Sequence, residues 1–255
     1  MTEQLGRPRR VVILGALSTI AESLVRRLAA QGAHLALAAR RADRLDALRA
    51  DALGRGAASA EIFALDLAAD LDVAAELDRM LAALGGEADA VVVIYGALGD
   101  QKIAERDLAA HDRLLAVNFT SAARWCAAAA NRLEAQKHGV LLAVSSVAGD
   151  RGRQSNYVYG AAKAGLTTLV EGIAHRLAPS GARAVAAKLG FVDTAMTAHL
   201  PRGGPLWAKP DAVAQSLARL IDAPSKPVVY LPWFWRPILA IVRNVPAPIF
   251  HKTRL

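Results

Sequence analysis

Cysteine is nearly absent from this sequence of 255 residues, and no long apolar run occurs in it. The single cysteine, Cys126, excludes an internal disulfide and a zinc site built on several thiolates, and we expect it to be a buried helix residue. The six histidines show no pair at metal-ligand spacing, so no metal site is expected. No segment approaches the ~20 apolar residues that span a bilayer, and no signal peptide is recognisable. These absences predict a globular cytoplasmic protein.

Acidic residues are also in deficit, because 31 Lys and Arg oppose 23 Asp and Glu and leave a formal charge of +8. Five of the basic residues lie between positions 226 and 255, where there is no Asp or Glu. The sequence has no block of Lys and Arg and no recognisable nucleic-acid-binding motif. We therefore do not expect nucleic acid to be a partner.

The sequence does contain a regular alternation of apolar strand patterns and helical patterns. Strand patterns occur at residues 10–14, 34–39, 60–65, 88–95, 140–144, 182–188 and 227–231. Helical patterns occur at residues 22–31, 42–53, 70–84, 104–136 and 157–178. The alternation predicts an α/β fold, a Rossmann-like doubly wound parallel sheet of about seven strands with helices on both faces. We predict one such domain over residues 1–232 and a C-terminal tail over residues 233–255.

The first strand-to-helix turn has features of a phosphate-binding site. Gly15 follows the first strand pattern, where a residue without a side chain lets backbone N–H groups approach a pyrophosphate. Ser18 and Thr19 add hydroxyl donors. Thr19 and Ala21 stand where a full glycine motif has glycines, so an ordinary glycine turn before a helix is an equal alternative.

The ends of the second and third strand patterns carry charged residues suited to adenosine recognition. Arg40, followed by Arg41, occupies the place where an arginine accommodates the 2′-phosphate of NADP and an acidic residue binds the ribose of NAD. A solvated pair of charges at a helix start is the alternative. Asp66, followed by Leu67, can contact adenine or serve as a turn aspartate, and the sequence leaves both open.

A second group of polar residues occurs further along the chain. Tyr159 and Lys163 are four residues apart, so their side chains share one face of a helix. Ser145 and Ser146 end the fifth strand pattern, at the carboxyl edge where open α/β sheets bind ligands. Asn118 is a polar amide within an apolar part of a helical pattern, which costs helix propensity and asks for an explanation.

These residues occur in motifs that resemble the short-chain dehydrogenase/reductase superfamily. The resemblance rests on the segments 118–121, 144–149 and 189–194, on the Tyr159-x-x-x-Lys163 pair, and on the 13-residue step from Ser146 to Tyr159. It covers about residues 10 to 231 and implies an oxidoreductase that uses NAD(P)H.

The resemblance implies a role for each of the four catalytic candidates. Tyr159 would protonate the substrate carbonyl oxygen, and Lys163 would bind the nicotinamide ribose and lower the pKa of the tyrosine. Ser146 would hydrogen-bond the carbonyl, with Ser145 as the competing choice. Asn118 would support a proton-relay water.

The same resemblance implies a nicotinamide cofactor, with NADP(H) preferred and NAD(H) as the alternative. Thr194 would contact its carboxamide. The implied cofactor-binding residues are Gly15, Ser18, Thr19, Ile20, Arg40, Asp66, Leu67, Tyr95, Gly96, Tyr159, Lys163, Gly190, Val192 and Thr194. The sequence departs from the family pattern at residues 93–95, at Leu189 and in the glycines after Gly15. These departures affect cofactor packing rather than proton transfer.

A narrower resemblance extends over the whole length. The segments 95–101, 147–156, 194–200 and 245–252 are similar to bacterial decaprenylphosphoryl 2-keto-erythro-pentose reductases. In that family a lipid-linked 2-keto sugar of the cell envelope is reduced with NAD(P)H, and members are commonly dimers or tetramers. The alternatives are an oxidoreductase for another hydrophobic ketone or alcohol, and a non-catalytic nucleotide-binding scaffold. Arg151 and Arg153 can meet a substrate phosphate, although a solvated loop is the favoured interpretation.

The tail is aromatic, apolar and basic, which is typical of a segment that contacts the inner face of the cytoplasmic membrane. Packing on the protein's own core or on a partner subunit is an equal alternative. The membrane hypothesis rests on an apolar helix face (Ile238, Leu239, Ile241 and Val242), on Trp233 and Trp235 at the interface, and on Arg236, Arg243, Lys252 and Arg254 near anionic headgroups.

Overall fold

The computed structural model describes residues 9–198, 203–223 and 226–253, in which strands alternate with helices. The strands are β1 (Arg10–Leu14), β2 (His34–Ala39), β3 (Ser59–Ala64), β4 (Ala90–Val93), β5 (Val140–Ser146), β6 (Arg183–Leu189), β7 (Phe191–Val192), β8 (Trp207–Ala208) and β9 (Val228–Leu231). The helices are α1 (Thr19–Ala29), α2 (Ala42–Gly54), α3 (Val73–Ala83), α4 (Gln101–Ala104), α5 (Leu108–Leu115), α6 (Ala122–Gln136), α7 (Tyr157–Leu177), α8 (Pro210–Asp222), α9 (Trp235–Asn244) and α10 (Ala247–Phe250).

Seven of the strands form one parallel sheet in the order β3-β2-β1-β4-β5-β6-β9. The strand order reverses between β1 and β4, and in open parallel sheets ligands bind beside the carboxyl ends of the strands at such a point. The predicted doubly wound fold is therefore confirmed.

Apolar residues cover both faces of this sheet, as a parallel sheet requires. On one face α1 and α8 pack with strand residues around Leu24, Leu28 and Leu217. On the other face α3, α6 and α7 pack around Met80 and Trp125. Cys126 lies in this second core and is fully buried, as expected, and burial raises the pKa of its thiol to about 12. The thiol is therefore protonated and unreactive at neutral pH.

The predicted long helix over residues 104–136 is wrong, because the chain is interrupted twice in this region. Residues 105–107 separate α4 from α5, and the Asp107 carboxylate accepts hydrogen bonds from the N–H groups of Ala109 (2.8 Å) and Ala110 (3.3 Å), which caps α5. A π-helical turn, Ala116–Ser121, then separates α5 from α6. π-Turns within helices often lie at functional sites.

The sequence patterns also left out α8, β7 and β8. The helix α8 has Pro210 in its first turn, which is a common helix start. The short strands β7 and β8 pair in a separate two-stranded sheet after β6, and the rings of Phe191 and Trp207 stack across it with their centroids 5.3 Å apart. Two-residue strands carry too little periodicity to be found from sequence.

The described part of the tail packs on the protein's own core, which corrects most of the predicted membrane-facing surface. Trp235 and Leu239 are buried against Val147, and Ile238 and Val242 pack beside them. Of the predicted membrane-facing residues, Trp233 and Ile241 are exposed, and Ile249 is exposed beside them. Arg254 and residues 199–200 lie outside the described residues. Within the described residues, no helix is long and apolar enough to cross a membrane.

Arg151 fixes the far end of the tail, which corrects the expectation of a solvated side chain. Its guanidinium donates hydrogen bonds to the backbone carbonyls of Val242 and, at 2.7 Å, Val245. It also lies over the ring of Phe250, 3.6 Å from the centroid. Because the last carbonyls of a helix lack partners within it, Arg151 acts as a cap for α9.

A buried ion pair holds the turn after β5 onto β6 and β9. The Asp150 carboxylate pairs with the Lys188 ammonium and accepts a hydrogen bond of 2.7 Å from the Tyr230 hydroxyl. Burial and the neighbouring Asp150 carboxylate raise the pKa of the Tyr230 hydroxyl to about 12. Sequence reasoning missed this network, because the three residues are far apart in the chain.

Candidate active site

The turn between β1 and α1 is held by contacts with the loop after β4. Gly15 has a φ of +95°, and a Cβ added there would lie 2.6 Å from the Cβ of Tyr95, so the position requires glycine. The Ser18 hydroxyl accepts a hydrogen bond of 3.2 Å from the Ala21 N–H and caps α1, which begins with Thr19 and Ile20. The other first-turn N–H groups of a helix have no partner inside it, so this end can receive a phosphate.

The two arginines after β2 differ in their contacts. Arg41 pairs with Asp43 at 3.0 Å on the surface. Arg40 is exposed, and its side chain has no hydrogen-bond or ion-pair partner in the described ranges. The structure therefore leaves the Arg40 guanidinium available to an anionic ligand.

Asp66, after β3, serves as a turn residue in the structure. Its carboxylate accepts a hydrogen bond of 3.0 Å from the Ala68 N–H. This is the second of the two interpretations that the sequence left open. The adenine contact stays a prediction.

Leu67 takes part in the site through its backbone, while its side chain packs in the second core. Its carbonyl accepts hydrogen bonds from the Ser121 hydroxyl (2.5 Å) and the Trp125 indole N–H (3.0 Å). The Ser121 hydroxyl also bonds the Tyr95 hydroxyl at 2.6 Å, and burial raises the pKa of Tyr95 well above its usual value. Tyr95 thus stabilises the loop after β4, and sequence reasoning missed Ser121 and Trp125 because their partner is a backbone atom.

Asn118 lies in the π-helical turn, and its side chain is fully buried. Its amide nitrogen donates to the carbonyls of Ala97 (2.8 Å) and Leu114 (2.9 Å), and its amide oxygen accepts from the Ala97 N–H (3.0 Å). A Cβ at Gly96 would lie 2.6 Å from that oxygen. Both N–H donors of the side chain and one lone pair of its oxygen are therefore committed to holding the loop after β4 and the end of α5. The support of a relay water by Asn118 stays a prediction.

The two serines at the end of β5 have different surroundings. Ser145 is buried and bonds to the Lys163 carbonyl (2.9 Å) and the Thr167 hydroxyl (2.7 Å). The Ser146 hydroxyl lies at the carboxyl edge, where it accepts from the Ala148 N–H at 3.1 Å and is 3.5 Å from the Leu189 carbonyl. Ser145 thus holds β5 to α7, and Ser146 is the serine available to a ligand.

Tyr159 and Lys163 lie in the first two turns of α7, as the spacing predicted. Lys163 is only 3% exposed, donates to the Val144 carbonyl at 3.0 Å, and has its ammonium 5.8 Å from the centre of the Tyr159 ring. Burial raises the pKa of Tyr159 to about 12, partly offset by the Ser146 hydroxyl, and burial lowers the pKa of Lys163 to about 8. Burial therefore outweighs any lowering of the tyrosine pKa in this structure, and the expected stabilisation of the phenolate by Lys163 stays a prediction.

The segment after β6 contains the remaining cofactor candidates. Gly190 lies directly against the Trp235 indole, because a Cβ at Gly190 would be 1.8 Å from the indole Nε1. Val192 is buried in β7. Thr194 caps the 3₁₀ turn Ala195–Thr197, and its N–H donates to the Thr197 hydroxyl at 3.2 Å. Gly190 is thus required by the packing of the tail, a reason that the sequence alone did not show.

A buried cation, a phenol and a serine hydroxyl thus lie together at the carboxyl edge of a doubly wound sheet. This arrangement defines a class of nucleotide-binding α/β oxidoreductases in which a phenol exchanges a proton with the substrate.

Comparison with known proteins identifies the family. Residues 9–203 match the family model of the short chain dehydrogenases, so the chain belongs to this family and is an NAD(P)H-dependent oxidoreductase. An uncharacterized oxidoreductase of Mycobacterium tuberculosis is 37% identical over 242 residues, which cover 95% of this chain and 96% of that one.

Two solved structures agree with this assignment. A short chain dehydrogenase/reductase family protein superposes with a TM-score of 0.75 at 28% identity, covering 87% of this chain and 94% of that one. An alcohol dehydrogenase of Thermococcus sibiricus complexed with 5-hydroxy-NADP has a TM-score of 0.77 at 25% identity, covering 88% of this chain and 96% of that one.

The residues present fit the nicotinamide dinucleotide that the family implies. An ammonium carries three N–H donors, and Val144 takes one from Lys163, so donors remain for ribose hydroxyls. The start of α1 and the Arg40 guanidinium are suited to phosphate groups.

Substituting Gly190 tests the contact with the tail. We expect Gly190→Ala to reduce the free energy of unfolding by about 1–3 kcal/mol, because the new Cβ collides with the Trp235 indole. Chemical denaturation measures the loss, and it should shrink when Trp235→Ala is already present. Gly152→Ala is the control, because a Cβ there meets nothing within 4 Å. Equal effects at positions 190 and 152 would contradict the assignment.

Proposed function

We propose that this protein is an NADPH-dependent carbonyl reductase that acts on a lipid-phosphate-linked 2-keto sugar. The observation that carries the reductase part is the meeting of Ser146, Tyr159 and Lys163 at the carboxyl edge of the sheet. A different hydrophobic ketone or alcohol is the second candidate substrate. A non-catalytic scaffold is disfavoured, because such a protein has no need of a buried cation beside a half-buried phenol.

The side chains perform the proton chemistry of carbonyl reduction. A bound nicotinamide cofactor supplies the hydride for the carbonyl carbon. The Ser146 hydroxyl donates a hydrogen bond to the carbonyl oxygen, and the Tyr159 phenol transfers its proton to that oxygen as negative charge develops there. With a pKa of about 12, the phenol is protonated at neutral pH, which is the form that a proton donor needs. The Lys163 ammonium stabilises the resulting phenolate and binds the ribose.

The preference for NADPH is supported by Arg40. A free guanidinium beside the carboxyl end of β2 favours a 2′-phosphate, and the Thermococcus sibiricus relative is complexed with an NADP derivative. No carboxylate occupies position 40, where one would bind the ribose of NAD.

A lipid-linked substrate and a membrane contact are supported by the surface of the tail. Trp233, Ile241 and Ile249 are exposed, and basic residues accompany them at Arg236, Arg243 and Lys252. Exposed aromatic and aliphatic side chains next to cations suit an anionic membrane surface. The contact is smaller than the sequence predicted, because the rest of the apolar face packs inward.

A homodimer or homotetramer through the long helices is part of the same proposal. An open apolar groove runs along α7 and suits a helix of a second copy of the chain. Its lining includes Phe119, Gly165, Leu169 and Ile173.

Removing the phenolic hydroxyl tests the reductase mechanism. We expect Tyr159→Phe to lower kcat for ketone reduction at least 100-fold, because no other group donates the proton, while the Kd for NADPH changes less than about threefold. Steady-state rates and calorimetric titration measure the two quantities. Ser145→Ala is the control, because Ser145 faces α7. An active Tyr159→Phe variant would refute the mechanism.

Removing the free arginine tests the cofactor preference. We expect Arg40→Ala to raise the Kd for NADPH about 10- to 100-fold and to leave the Kd for NADH nearly unchanged, because only NADPH carries the 2′-phosphate. Arg41→Ala is the matched control, since Arg41 already pairs with Asp43. Calorimetric titration with both nucleotides measures the difference, and equal weakening for both nucleotides would contradict the role of Arg40.

The membrane contact is tested by flotation with anionic phosphatidylglycerol vesicles. We expect serine at positions 233, 241 and 249 together to lower the bound fraction at least about tenfold, because three apolar side chains lose their burial in the interface. Serine at Leu53 and Leu108, two exposed leucines elsewhere, is the control. Unchanged partitioning of the triple variant would defeat the membrane proposal.

A further inference from the structure

Two buried hydrogen-bond donors that have no acceptor among the described residues belong to side chains packed against the neighbours of Ser146 and Tyr159. One is the indole N–H of Trp235, and the other is the side-chain amide nitrogen of Gln101. Neither takes part in the mechanism above. Native proteins pair nearly all of their buried polar groups, so unpaired donors near a reaction centre need an explanation.

The Trp235 indole is fixed beside the serine. Its side chain is 6% exposed, and it lies against Gly190, the residue after Leu189, whose carbonyl is 3.5 Å from the Ser146 hydroxyl. Val147, the residue after Ser146, packs in the same apolar cluster. The edge of the Phe191 ring contacts the indole, with centroids 5.6 Å apart. The indole therefore lies against Gly190, which follows the residue nearest the Ser146 hydroxyl, and in the same cluster as Val147, which follows Ser146 in the chain.

The Gln101 amide is fixed beside the tyrosine. Gln101 begins α4, and its amide oxygen accepts a hydrogen bond of 3.1 Å from the N–H of Val158, the residue before Tyr159. This bond sets the orientation of the amide and leaves its nitrogen as the free end. That nitrogen is buried and has no acceptor in the described part of the chain.

We propose that the Trp235 N–H and the Gln101 amide bind oxygen atoms next to the reacting carbonyl, so that the site selects α-hydroxy ketones over plain ketones. The proposal deepens the reductase function and rests on it. Both groups donate, so only a ligand with acceptor atoms satisfies them, and a hydroxylated ligand brings such atoms as oxygens. One donor lies among the neighbours of the serine, and the other belongs to a side chain bonded to the residue before the tyrosine. A carbonyl flanked by hydroxyl groups satisfies both, whereas a plain ketone leaves them unpaired.

The energetic basis is the cost of an unpaired buried donor. A site built to hydrogen-bond a substrate hydroxyl rejects the analogue without it, because the donors of the site then stay unsatisfied. An apolar pocket gives no such discrimination. Recognition of the substrate therefore includes the tail, which supplies Trp235.

The test compares 2-hydroxycyclohexanone with cyclohexanone as substrates of the full-length protein at saturating NADPH. We expect the wild type to show a higher kcat/KM for the hydroxy ketone by at least about tenfold. Trp235→Phe keeps an aromatic ring without the N–H, and Gln101→Leu keeps the approximate volume without the amide. Each is expected to lower the ratio of the two kcat/KM values about tenfold. Tyr157→Phe, which removes a hydroxyl from an exposed aromatic ring, and Gln154→Leu, at another exposed position, are the matched controls.

Three results overturn the proposal. An unchanged ratio in both variants, with a wild-type melting temperature, shows that the donors have no role in substrate recognition. A raised Kd for NADPH with an unchanged ratio shows that the donors serve the cofactor. A wild type that reduces both ketones equally well removes the proposed selectivity but leaves the reductase function intact, whereas failure of the Tyr159→Phe prediction removes the function itself.

Discussion

The buried carboxamide of Asn118 holds together the segments on which the active site depends. Its hydrogen bonds to Ala97 fix the loop after β4, and its bond to Leu114 occupies a carbonyl in the last turn of α5, just before the π-helical turn. Leaving such a group unpaired inside the protein costs about 1–3 kcal/mol, so the loop and the turn are stable only together. Gly96 lies within this arrangement because any side chain would collide with the amide oxygen.

Burial decides the protonation state of the two central groups. Removing a phenol from water disfavours the phenolate, and removing an ammonium disfavours its charge. The pKa values of Tyr159 and Lys163 therefore move apart, to about 12 and about 8. The protein thus holds the Tyr159 phenol in its neutral, proton-donating form. Beside it lies the Lys163 ammonium, which loses its proton at a lower pH than an exposed lysine does. Phosphates and ribose hydroxyls near Lys163 would favour the ammonium and so complete the site.

The tail is attached both to the core of the protein and to the loop that follows Ser146. Trp235 and Leu239 extend the core beside Val147, and Arg151 and the Asp150–Lys188 pair anchor the same region from the loop that follows Ser146. The loop that follows Ser146 and the tail therefore depend on each other for their positions. A substitution in either is expected to disturb substrate recognition before it disturbs the sheet.

Local patterns were sufficient to predict the sheet and the identities of the polar residues at its edge. The seven strands of the main sheet and the Tyr159–Lys163 pair follow from short-range periodicity, because buried parallel strands are apolar throughout and a helix repeats its face every four residues. Of the two interruptions of the 104–136 helix, the one before α5 is marked by the local cap of Asp107, a signal that the helical pattern overlooked. The other, the π-helical turn, contains Asn118, whose amide bonds the backbone of Ala97, 21 residues away. No local pattern records that second bond.

Only the tertiary structure decided which of two similar residues is available to a ligand. Ser145 and Ser146 are alike in sequence, but the alternation of a strand turns one to α7 and the other to the ligand edge. Arg40 and Arg41 are alike as well, but Arg41 forms an ion pair with Asp43. The tail is a further example, because its composition suited a membrane surface and a protein core equally, and the structure decided between them for most of its apolar residues. The sequence determined which chemical groups exist and in what order, and packing determined which of them meet, since contacts between distant segments depend on the whole fold.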